Sequence, residues 1–168
     1  MTKNKRIMRV TSTLILTLTG ALVIFAGCPS RQSITNKMAA AIVGDLDTYY
    51  AANLKSEPAK DVSTTKYCMS VSMSTATTVK ENEVKLAGYE KSVGSDPTGQ
   101  AIATKIRALH SDLKACAYVR CKAAVGVNVD AVRDYAKKLG MDAGQAPAAD
   151  SCKQYEKLSA EILKTVSN

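Results

Sequence analysis

Few residues in this 168-residue chain are equipped for chemistry. There is one histidine, His110, and no nucleophile or orienting acid stands near it in a recognisable relay. Asp112 is close in sequence but would face elsewhere on a helix. Asp45 and Asp47 fail as a metal pair for the same reason, since positions two apart diverge. The Ser/Thr run over 63–78 has no G-x-S-x-G context. A Gly-rich phosphate loop and a dinucleotide fingerprint are both missing. What remains is a set of five cysteines and a row of bases. Arg107, Lys114 and Lys122 fall on one helical face, with Ser111 and Tyr118 between them. That row is a candidate basic binding face for lipid headgroups, a polyanion or an acidic partner, although solvated basic faces are common. No enzyme activity, cofactor or metal is expected.

The N-terminus decides how the cysteines are read. Residues 1–9 carry Lys3, Lys5, Arg6 and Arg9 and no acid, and Val10 to Gly27 carries no charge. A basic stretch followed by an apolar one reads as an export signal. The run ends at Phe25-Ala26-Gly27-Cys28, which resembles the lipobox of bacterial lipoprotein signal peptides, where small residues precede a cysteine. Phe25 stands where that pattern has an aliphatic residue. The resemblance covers residues 1–28 only. It implies a signal peptide over 1–27, lipid on the Cys28 sulfur, a short tether over 28–33 and one domain over 34–168. Two or more acyl chains anchor stably where one does not. An uncleaved signal anchor and an ordinary secreted chain are the other readings. All three put residues 29–168 on the periplasmic or extracellular side, because positive residues stay inside.

The charge changes with that division. The whole chain carries a formal +8. Residues 28–168 hold 19 basic against 15 acidic residues, a net +4. That mild excess suits a place beside an anionic membrane and does not call for a nucleic acid partner.

Cys68, Cys116, Cys121 and Cys152 then form an even set in an oxidising compartment, which reads as two disulfides. Cys116 and Cys121 lie on one helix and point about 140° apart, too divergent to bridge. Two pairings stay open: 68–116 with 121–152, and 68–121 with 116–152. Each link would contribute roughly 4 kcal/mol in the chain-entropy model. No C-x-x-C and no metal spacing competes.

The positioning elements are helices. Ser33 to Leu54 carries a stripe of Met38, Ile42, Leu46 and Tyr49 at spacings of three and four. Val62 to Val93 is predicted as one long helix. The alternative is a short two-stranded β element pairing Tyr67–Met73 with Ala117–Val127, because both stretches alternate. Gly94 to Gly99 is a turn. Gln100 to Ala124 follows, with Ile102, Ile106, Leu109, Leu113 and Cys116 inward. Asn128 caps a shorter helix closed by Gly140, and Asp150 or Ser151 caps the last one. The fold class is therefore all-α: a small disulfide-stapled antiparallel helical bundle. Its core lacks Trp, and the only Phe lies in the signal.

By elimination the work of such a domain is binding. It is expected to act as a lipid-anchored interaction module meeting an envelope protein partner. A periplasmic carrier holding a small apolar ligand near Met69 and Met73 is one alternative. Small plasmid- or phage-encoded lipoproteins that exclude competing DNA or inhibit lysozymes resemble the chain in size and layout.

Overall fold

The computed structural model describes residues 30–56, 63–125, 129–142 and 147–167. The export segment 1–27, Cys28 and the predicted cap Asn128 lie outside those residues. The chain divides into two compact units, 1–34 and 35–168. In the first, the described residues open a helix, with Ser30 Oγ accepting the Ser33 N–H at 3.1 Å.

Five helices follow in order: α1 Arg31–Asn53, α2 Thr64–Val93, α3 Pro97–Val125, α4 Val129–Lys138 and α5 Ser151–Ser167. No strand occurs among the described residues, so the two-stranded alternative falls. Residues 31–33, at the end of the expected tether, are helical.

The reason α2 is one helix is visible in what it buries. Cys68, Thr75, Asn82 and Tyr89 repeat every seven residues. Ser72, Val79, Leu86 and Val93 repeat at the same interval, four residues on. This is the seam of a helix packing along another helix at a shallow angle. A strand would have exposed half of it. The partner is α3, which packs against α2, α4 and α5 and so forms the centre of the bundle. Its buried stripe is the expected one: Ile102, Ile106, Leu109, Leu113 and Cys116.

The α2–α3 turn holds the two helices close. Asp96 Oδ2 accepts the Gly99 N–H at 2.7 Å, capping α3, and Pro97 takes the first helical position. A Cβ on Gly99 would lie 2.5 Å from the Val93 Cβ, so only glycine permits this approach. The end of α4 is equally defined. Gly140, at φ 66°, donates to the Lys137 carbonyl, and Met141 donates to the Ala136 carbonyl. This pair of hydrogen bonds is a Schellman closure, and it turns the chain after α4 back over α2 and α3.

α1 and α5 are joined by polar contacts over the core. Tyr155 and Ser159 donate their hydroxyls to Asp47 Oδ1, at 2.9 and 2.8 Å. Tyr50 donates to Glu156 at 2.9 Å and stacks on Tyr155 with ring centres 4.7 Å apart. Burial and the adjacent Glu156 push the Tyr50 hydroxyl up to about 12. Tyr49 reaches the other way, bonding Ser74 and Thr75 on α2 at 2.7 and 2.8 Å. Leu46, Leu54, Ile106, Leu109, Leu113, Leu139 and Ile162 fill the centre. Each such side chain contributes about 2 kcal/mol by leaving water.

Candidate functional site

The cysteines resolve into one bridge and one thiol pair. Cys116 on α3 is bonded to Cys152 on α5 across a Cα separation of 4.6 Å. That excludes the pairing of 68 with 116 and 121 with 152. The second expected bridge is not formed: Cys68 and Cys121 are buried free thiols. They lie within hydrogen-bonding reach of each other, in a small apolar cluster with Tyr135. Burial raises both thiols, Cys121 the further, because it also sits behind the Cys68 sulfur.

A cleft of about 600 Å³ opens between α2, α3 and the residues after α4. The α2 wall supplies Glu83, Leu86, Ala87 and Glu90. The α3 wall supplies Arg107, His110, Ser111 and Lys114. Met141 and Asp142, placed by the Gly140 turn, close one side.

Helix phase sets its layers. Arg107 pairs with Glu90, which fixes the register of the antiparallel hairpin at that level. Two turns along each helix, seven residues away, stand Lys114 on α3 and Glu83 on α2. They stand in the same sequence relation as Glu90 and Arg107, yet among the described residues Glu83, Lys114 and Asp142 make no ion pair. Between the two layers lies His110. It is 4% exposed, and its Nε2 has no hydrogen-bond partner. Burial lowers its pKa, Glu83 partly offsets this, and Lys114 and Arg107 lower it further. The imidazole is therefore neutral at pH 7.

The predicted basic face is thus split. Arg107, Ser111 and Lys114 line the cleft, but Arg107 is paired with Glu90. Lys122 stands exposed beyond the cleft, and Tyr118 is buried in the core. The acids Glu83, Glu90 and Asp142 were not anticipated as site residues. The seven-residue spacing shared by Glu83–Glu90 and Arg107–Lys114 was the available signal. Asp45 and Asp47 serve structure: Asp45 pairs with Lys85, and Asp47 binds α5. Among the described residues no cluster could hold a metal, and no helix is long and apolar enough to cross a membrane. Met69 and Met73 are 42% and 58% exposed, so they do not line an interior cavity as a carrier would need.

No protein family, curated protein or solved structure matches this chain.

Proposed function

We propose that this chain is a lipid-anchored binding protein of the bacterial cell envelope. Cys28 carries the anchor, and the helical domain presents the α2–α3 cleft on the periplasmic or extracellular side. The observation that carries the binding role is His110. A buried imidazole with an unpartnered Nε2 costs about 1–3 kcal/mol unless something completes it. His110 lines a cleft that also holds unpaired Lys114 and Glu83. The site favours binding over chemistry. Ser111 is the adjacent helix position to His110, so their side chains diverge by about 100°, and Nε2 accepts no hydroxyl proton. The anchor rests on the lipobox-like segment ending at Cys28.

The test is site-specific photocrosslinking in native membranes. A photoreactive residue at Ser111, on the cleft rim, is expected to give a discrete product. That product should be lost when Lys114→Met is added. The same residue at exposed Thr104, one helical turn beyond Arg107, is expected to give none. Equal products from both positions would remove the cleft from the binding role. Intact mass of the membrane fraction checks the anchor: a mature chain starting at unmodified Pro29 or later defeats it.

A further inference from the structure

The cleft's charges define what fits it. Glu90 is already neutralised by Arg107. That leaves one cation, Lys114, two acids, Glu83 and Asp142, and the neutral His110. A purely anionic ligand would meet Glu83 and Asp142. A purely cationic one would meet Lys114 and Arg107. A purely apolar one would desolvate this charged lining without replacing its water, which is costly. Leu86 and Met141 nevertheless supply an apolar surface within the same cleft. The volume lies in the range of small-molecule sites.

We propose that the cleft binds a small zwitterion of the amino-acid type. Its carboxylate takes the Lys114 ammonium, beside the His110 ring. Its ammonium takes Glu83, with Asp142 at the side. Its apolar side chain lies against Leu86 and Met141. Such a ligand bridges Lys114 and Glu83, which line the same cleft without pairing. This inference rests on the binding role proposed above and specifies its ligand.

The single histidine makes the test direct, because its imidazole nitrogens give an unambiguous NMR signal in the full-length protein. The probes are the free protein amino acids, in L and D forms, titrated one at a time. At least one with an apolar side chain is expected to move the His110 signal saturably, with a Kd of about 1 mM or tighter. Its N-acetyl and α-amide derivatives, each lacking one charge, should bind at least about tenfold more weakly. Lys114→Met and Glu83→Gln should each weaken binding by a similar factor. Both are partly or fully exposed, so the unfolding midpoint should stay in place. Absence of any saturable shift overturns the proposal, and so does equal binding by the N-acetyl or amide derivative. If no amino acid binds but the Ser111 crosslink persists, the zwitterion fails and the binding role stands. If both fail, the binding role falls with it.

Discussion

The Cys116–Cys152 bond should be the largest single covalent contribution to the stability of this domain. It closes a loop of 36 residues between α3 and α5. Restricting the unfolded chain over that length is worth about 4 kcal/mol in the loop-entropy model. Replacing both residues, Cys116→Ala with Cys152→Ala, removes the link without leaving a lone thiol. Cys116 is fully buried and Cys152 half-buried, so a modest packing loss adds to the entropic one. In urea, with a slope of about 2 kcal/mol per molar, the midpoint should fall by about 2 M. The helical signal before the transition should survive. α5 is also held by Tyr155, Ile162 and the Asp47 contacts, all of which remain. Reducing the wild-type protein should reproduce the shift. The variant should be insensitive to reductant in the same assay. A midpoint that falls by less than about 0.5 M would refute the reasoning, because the link would then not be restricting the unfolded chain.

Asp47→Ala should cost about 2–4 kcal/mol in the same unfolding assay, since Tyr155 and Ser159 lose a charged acceptor; a loss under about 0.5 kcal/mol would show the pairing to be incidental. Gly99→Ala should destabilise by about 1–3 kcal/mol, measured by urea midpoint. Alanine is the better helix former, but its Cβ meets Val93 at 2.5 Å; a gain in stability would contradict the close approach. His110 is held below its ordinary pKa when folded, so the unfolded chain takes up its proton first as pH falls. Stability should be at its full value above about pH 6.5 and drop below it, by at most about 1.4 kcal/mol per pH unit, and His110→Gln should remove this component. Identical pH profiles for the two proteins between pH 7.5 and 5 would sink that account. Cys68 and Cys121 should resist alkylation in the folded protein and react on unfolding, because burial both covers and raises them. Rapid labelling of the native chain, read by mass, would contradict this.

Much of the fold was legible because apolar residues repeat at helical spacing in α1, α3 and α5. The Asp96-Pro97 start of α3 and the Gly140 end of α4 carry their own punctuation. α2 was ambiguous in its first half for a physical reason. Ser72, Thr75 and Asn82 are polar yet occupy buried seam positions, so hydropathy hid the period. Met69 and Met73 added to this by being apolar and exposed. The start of α1 was placed late because nothing about Arg31 and Gln32 marks a helix end. The cleft was hardly legible at all. Its groups come from two helices and a turn, and Asp142 lies 59 residues along the chain from Glu83. Only the hairpin register makes the Glu83–Glu90 and Arg107–Lys114 spacings meaningful.

The opposed directions of Cys116 and Cys121 on α3 bear on how the chain acquires its bridge. For a chain threaded out N-terminus first, Cys68 and Cys116 are the first two cysteines of the domain to emerge. An oxidant acting in order of appearance would join them, and that link would be wrong. The α2–α3 hairpin forms locally around its short turn, and once helical it turns Cys116 about 140° away from Cys121. It buries Cys68 against Cys121 instead. Cys116 then waits as an unclaimed thiol until α5 arrives with Cys152. Helix phase thus acts as an order-of-assembly rule: the correct partner of Cys116 is the last one synthesised, and the geometry of α3 keeps the earlier one out of reach.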